Sequence, residues 1–208
     1  MADQARDVRE FWFGRSAPRA DELADRMEFW FGTHDSADTQ RAHDEEIRRR
    51  FGHLVELAAR GELDGWADSP RRRLSLILLL DQFPRHIYRG TRRAFASDEK
   101  ALSLTLSGVQ SGADAALDRI ERLFFYMPLQ HSESLEVQDE SVAAFRRLLG
   151  ETADELAPQL AEALESAQAH RSIIERFGRF PHRNRALGRV STKEEREFLA
   201  SETHAFGQ

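Results

Sequence analysis

The chain has 208 residues, 40% of them apolar and 32% charged, with a net charge of −6 and no cysteine. That length holds a sizeable core in one domain, and the lack of cysteine excludes disulfides, thiolate nucleophiles and cysteine-ligated zinc, in keeping with a reducing cytoplasm. The longest apolar run, LSLILLL at 74–80, is far too short to cross a bilayer, and an acidic chain suits nucleic acid poorly, so neither membrane nor nucleic acid is expected as a partner.

Helical periodicity runs through nearly the whole sequence. A first helix is predicted over about 3–13 and a second over about 20–31. The opening MADQARDVRE has no basic stretch leading into an apolar one, so no secretory signal is expected and the protein is placed in the cytoplasm. A longer helix runs from about 38 to 60, kinked at Gly52, and stops at Gly61. Ser69-Pro70 reads as an N-cap followed by proline at the first helical position, opening a helix to about Gln82. Pro84 is expected to end it, because its ring and missing N–H disrupt the ladder. Ser97 is expected to cap the next helix, which ends near Gly112; helices at about 118–127, 134–149 and 153–177 follow. The last, at 192–201, opens with STKEE, a capping-box pattern. No stretch alternates well enough to be a strand.

Phe-Gly recurs at 13–14, 31–32, 51–52, 177–178 and 206–207. Phenylalanine can anchor a last helical turn while glycine takes the left-handed position beyond it. EFWFG occurs at both 10–14 and 28–32, a hint of stacked helix pairs. The connections are short and no linker divides the chain. The expected fold is a single all-α domain over 1–208, a helical-hairpin array of about 9–11 helices with no sheet.

Charge is unevenly spread. Residues 71–93 carry seven arginines and one acid, and residues 171–189 carry six arginines and one acid, in a chain that is acidic overall. If the two islands converge they make an anion-attracting surface. Three polar clusters follow apolar helices. The first offers Asp81, Gln82, Arg85, His86, Arg89, Arg92, Arg93 and Asp98; in the second, Pro128 is expected to break a helix just before His131-Ser132-Glu133. The third runs from His170 through RFGRFPHRN at 176–184. There Phe177 and Phe180 are expected to seat the loop in the core while Arg179, His182, Arg183 and Asn184 are displayed. His131, Glu133, His170 and His182 are ligand types for zinc, manganese or iron, but neither HExxH nor a helical Glu-x-x-His pair occurs, and no metal is expected. The GxSxG, GxxxxGK[ST] and GxGxxG patterns are absent.

LLLDQFPRHIYRGTRRAFASD at 78–98, ERLFFYMPLQHSE at 121–133 and HRSIIERFGRFPHRNRALGRVSTKEEREFL at 170–199 resemble a bacterial family of uncharacterised proteins. EFWFG, EEIRRRFG and GELDGWADSPRRRLSLILLL extend the resemblance over almost the whole chain. It implies an all-helical fold similar to tetratricopeptide repeats and no assigned activity. Arg72, His86 and Ser134 stand where the family pattern tends to have Gly, Asn and Asp.

The expected function is binding of an anionic small molecule or an acidic peptide in a concave site. Its ligand-binding residues would be Arg85, Arg92, His131, Glu133, His170, Arg179, His182, Arg183 and Asn184. An alternative is an enzyme, metal-dependent or not, with Asp81, His131 and Glu133 as proton-transfer groups and the arginines holding an anionic substrate. A third is a protein-interaction scaffold with the basic islands as its rim. No cofactor is identified, and self-association stays open.

Overall fold

The computed structural model describes residues 2–15, 20–31, 37–152 and 155–201. These hold ten α-helices and no strand. The helices are α1 (Ala2–Phe13), α2 (Ala20–Phe31), α3 (Ala37–Ala59), α4 (Pro70–Ile87), α5 (Asp98–Gln110), α6 (Arg119–Gln130), α7 (Leu135–Gly150), α8 (Ala157–Phe177), α9 (Asn184–Leu187) and α10 (Lys193–Ser201).

The fold is organised around α4. Leu74 and the run Leu76–Leu80 are all fully buried, as a helix apolar on every side must be. α3 lies antiparallel to it: Asp44, early in α3, reaches His86 at the end of α4 and Arg89 just beyond it, at 2.8 and 3.0 Å. α5 is antiparallel on another side, with Arg73 donating to the Leu104 carbonyl at 3.0 Å. α1 runs alongside, the Ser75 hydroxyl donating to the Ala5 carbonyl at 2.7 Å while Trp12 packs on Phe83. Beyond α4 come the antiparallel neighbours α6, α7 and α8, tied by Arg122–Glu151 at 2.6 Å and Arg171–Asp139 at 2.5 Å. A small second core of Ile173, Ile174 and Phe180, with Phe177 and Phe198 against it, seats α10.

Both prolines expected to stop helices lie inside them. α4 continues three residues past Pro84, and α6 continues two past Pro128. A proline in a helix interior costs about 3 kcal/mol. Here Phe83, Arg85 and Ile87 on one side, and Met127, Leu129 and Gln130 on the other, are buried, and burial of those flanks outweighs the lost bond. The consequence is functional: Arg85 sits on a helix, and His131 at a helix cap, where loops were expected. α3 likewise runs unbroken through Gly52. Ser69 and Ser97 precede α4 and α5, but neither side chain makes a capping bond. The box at Thr192 forms, with the Glu195 N–H donating to the Thr192 hydroxyl at 3.1 Å and the Thr192 N–H to the Glu195 carboxylate at 2.7 Å.

The Phe-Gly rule holds at Gly14 and Gly178, where φ is +91° and +66°. It fails at Phe51-Gly52, which is mid-helix. Gly32 and Phe206-Gly207 lie outside the described residues.

Gly108 in α5 allows a close helix crossing, because a methyl there would run into the Phe125 ring. Glycine to alanine in a helix normally gains about 1 kcal/mol. Gly108→Ala should instead lose about 1–3 kcal/mol through overpacking, read as a lower urea midpoint; a gain would show that α5 and α6 do not approach this closely.

Candidate functional site

Where α4, α5, α6 and α8 end or begin together, their polar residues meet. The antiparallel packing of α4 and α5 brings Arg85 to Asp98, the first residue of α5. The guanidinium donates in a fork to Asp98 Oδ1 and Oδ2 at 3.0 and 3.1 Å. It also donates to the Asp81 carbonyl at 2.7 Å and lies 3.6 Å from Asp81 Oδ1. Asp98 suits the start of a helix, where the exposed N–H groups favour a negative charge.

Asp81 has no exposed surface. Its Oδ1 lies 2.7 Å from His131 Nδ1, and the Gln82 amide donates to its other oxygen. Burial alone would raise the Asp81 pKa, but Arg85, His131 and Gln82 together hold the carboxyl well below the usual carboxylate range. An ionised Asp81 is an acceptor only, so His131 carries its proton on Nδ1 and presents Nε2 as a lone pair. Burial and the Arg85 charge push the His131 pKa down, which keeps the ring neutral.

The loop after α8 closes the site. Phe180 is fully buried, as the sequence suggested for a seating residue. Its backbone N–H donates to Glu133 Oε1 at 2.8 Å, and Arg189 donates to the Phe180 carbonyl at 2.9 Å. Arg189 also forks onto Glu133 at 2.7 and 2.9 Å. Glu133 is therefore a clamp on the loop. Burial works against its charge, but these bonds hold its pKa below the ordinary value.

Arg183, the next arginine along, is 6% exposed and lies over the rings of Phe180 and Phe95 at 4.5 and 4.8 Å. It shares Asp98 with Arg85, donating to Oδ2 at 3.3 Å, while its Nε has no hydrogen-bond partner. Burial, then repulsion from Arg85, pushes its pKa down to about 10. His170 packs edge-on to Phe180 at 5.4 Å and lies 6.5 Å from the His131 ring. His182 stacks on the other side of the network, 5.4 Å from Phe180. Burial, reinforced by the surrounding positive charge, pushes the pKa of both His170 and His182 down to about 3. Side chains of Asp98, Arg85 and His131 keep 18, 11 and 11% of their surface exposed, so the cluster touches solvent at one edge.

The structure thus brings together Asp81, Arg85, His131, His170, His182 and Arg183. It places other candidates elsewhere. Arg179 forks onto Glu195 at 2.6 and 2.9 Å. Asn184 donates to Glu195 and Ser191, each at 3.1 Å, and accepts from Arg189 at 2.8 Å. Arg92 donates to the Leu187 carbonyl at 2.6 Å. These residues fasten the C-terminal segment and do not face the cluster's centre. Within the first basic island, Arg89 pairs with Asp44 and Arg93 with Glu56. Gln130 and Arg189 belong to the network and were not among the expected site residues; Asp98, named in the first polar cluster, was not expected to bind the ligand. Two departures from the family pattern have structural roles: His86 bonds Asp44 at 2.8 Å, and Ser134 accepts from the Val137 N–H at 3.5 Å to cap α7. Nothing in the structure explains Arg72, whose Nε is buried without a partner. Among the described residues, no group of three or more His, Asp or Glu is arranged to hold a metal ion, and no helix is long and apolar enough to cross a membrane.

The family model described as "Bacterial protein of unknown function (DUF924)" matches residues 8–203, and the chain belongs to that family. A solved structure of a protein of unknown function, ATU0120 from Agrobacterium tumefaciens, is similar at 35% identity and a TM-score of 0.79, over 97% of this chain and 99% of that one. No curated protein matches the chain.

Phe180→Ala should cost about 3–5 kcal/mol and loosen the Arg183 loop, seen as faster backbone hydrogen exchange over 178–184; unchanged exchange would mean that the ring does not hold the loop. The histidines make a pH prediction. The folded pKa of His170 and His182 lies near 3, against an ordinary 6.5, so the unfolded chain binds more protons between those values. Their contribution is whole above about pH 6.5 and is lost as pH falls toward 3. Urea unfolding between about pH 7 and 5 should show stability dropping on acidification by up to about 1.4 kcal/mol per pH unit for each imidazole. His182→Gln should flatten that slope.

Proposed function

We propose, taking as premise a family to which no activity is assigned, that this member binds a small anion through a carboxylate or phosphate group at the Arg85–Arg183 cluster. The observation that supports this is the state of Arg183. A buried guanidinium stacks between two phenylalanines beside a second guanidinium, shares one carboxylate with it and leaves Nε without an acceptor. Burying an unmatched donor is costly, and an entering oxyanion would supply the missing acceptor in the planar geometry that arginine matches best. The narrow exposed edge favours a small molecule over an acidic peptide. A cytoplasmic setting and a tetratricopeptide-like stacking of the helices remain parts of the same proposal; the antiparallel succession α6, α7 and α8 supports the second.

A second reading rests on a different contact. The ionised, fully buried Asp81 at 2.7 Å orients His131 and leaves Nε2 as a base at the edge of the cluster. This is the arrangement of a general base backed by a carboxylate. On this reading the arginines would hold the anionic part of a substrate while His131 accepts a proton from it, and Glu133 takes no part in the chemistry.

Calorimetry with sulfate tests the first reading. Arg183→Gln should weaken binding by about 1.5–3 kcal/mol, the scale of a bond to a charged group, while Arg71→Ala should change it little. Equal losses from both variants, with a steep salt dependence, would point to diffuse surface charge in place of a site. Nitrogen NMR of His131 checks the second reading, which requires a proton on Nδ1 and none on Nε2.

A further inference from the structure

The exposed edge of the arginine cluster offers acceptors as well as donors. Arg85, Asp98 and His131 share that edge. They lie in one unbroken run: Arg85 is 3.0 Å from Asp98 Oδ1 and 3.6 Å from Asp81 Oδ1, which in turn is 2.7 Å from His131 Nδ1. On one side of Arg85, among the described residues, Asp98 Oδ1 accepts from Arg85 alone, while Oδ2 accepts from both Arg85 and Arg183. Oδ1 therefore keeps a lone pair. On the other side, Asp81 accepts the Nδ1–H of His131 and leaves Nε2 as a lone pair. Burial and the Arg85 charge keep that ring neutral, so Nε2 stays an acceptor. Arg85 is thus flanked at the edge by two acceptors.

We propose that the anion taken by this cluster carries its own hydroxyl, which donates to His131 Nε2 while the oxyanion accepts from the guanidiniums: a small 2-hydroxy carboxylate or a hydrogen phosphate. The inference rests on the anion-binding reading above and adds the donor that the ligand must bring. A bare oxyanion brings acceptors only. It is matched by the arginines, but against Asp98 and His131 Nε2 it sets acceptor beside acceptor, which is costly where solvent reaches only one edge. A hydroxyl removes the mismatch at His131 without adding a charge. A protonated amine in its place would be repelled by Arg85 and Arg183. His131 is on this account a specificity-determining residue. Asp81 acts through it as a positioning residue, fixing which ring nitrogen carries the proton.

The test is calorimetry on the full chain at neutral pH with two matched pairs of anions. Glycolate is set against propionate, in which a methyl replaces the hydroxyl, and hydrogen phosphate against sulfate, a tetrahedral anion without the O–H. The hydroxylated member of at least one pair should bind about five- to tenfold more tightly, the scale of one hydrogen bond. Which pair shows the preference separates a carboxylate ligand from a phosphate. His131→Phe, which keeps an aromatic ring and removes Nε2, should bring that ratio close to one. If the variant does not fold, nitrogen NMR of the wild type replaces it: saturation with the preferred anion should shift the His131 Nε2 resonance, and its unhydroxylated partner should not. Equal affinities within both pairs, a ratio that His131→Phe leaves intact, or an Nε2 shift common to both members overturns the proposal and leaves the anion site standing. Failure of all the anions to bind overturns the anion-binding reading, and the proposal with it.

Discussion

Asp98 is the point through which the site is held. One carboxylate at the start of α5 receives Arg85 from the end of α4 and Arg183 from the loop after α8, two residues that are 98 positions apart in the chain. Behind Arg85 stands Asp81, and behind Asp81 stands His131 at the end of α6. Four helix termini are thus joined by one chain of alternating charge. Removing a single partner from such a chain leaves a buried charge uncompensated, at a cost of about 3–5 kcal/mol. The pairing defines the mutual placement of the four ends more than it stabilises the fold, since an apolar set of similar volume could pack as well.

The helical class was legible because α4 is apolar on every side and the remaining helices carry one apolar face each. The helix ends were less legible. Pro84 and Pro128 read locally as stops, but local propensity loses when the flanking residues are buried as deeply as Phe83 and Leu129. Residue identity at the site was readable from clustering: Arg85, His131, His170, His182 and Arg183 do meet. Side-chain direction was not. Arg179 and Arg183 are four positions apart in one basic stretch, yet Gly178 ends the helix before them and the short turn at Pro181–Arg183 sends them to different acids. Asp98 stood in the first polar cluster but was not assigned a ligand-binding role, for a related reason. An acid in the first turn of a helix has an ordinary explanation in the helix dipole, and only the fold shows that two arginines converge on it.

Glu133 illustrates how a residue type misleads about role. Beside a histidine and past a proline, it looks like a proton-transfer group. In the structure its oxygens are committed to the Phe180 N–H and the Arg189 fork, and a carboxylate so engaged, with its pKa lowered, is a poor base. Its work is mechanical: with Arg189 it pins both backbone polar groups of Phe180, whose ring carries Arg183. Gln130 plays a comparable part on the other side. Its amide lies 3.1 Å from His170 and bonds Ser166, so a single side chain ties the end of α6 to α8 beside the imidazoles.

The charge within that pocket is balanced. Asp81, Asp98 and Glu133 face Arg85, Arg183 and Arg189, and the depressed pKa values keep the three imidazoles uncharged. On the proposed anion-binding reading, net positive charge is therefore not what would draw the anion in. What is left over is directional: a guanidinium edge that its shared carboxylate does not satisfy, held rigid between two aromatic rings. Recognition by such an edge depends on acceptor geometry, which discriminates a planar carboxylate or a tetrahedral phosphate from a spherical halide of the same charge. It also depends weakly on ionic strength, because the donor lies inside the protein, where screening by salt is slight.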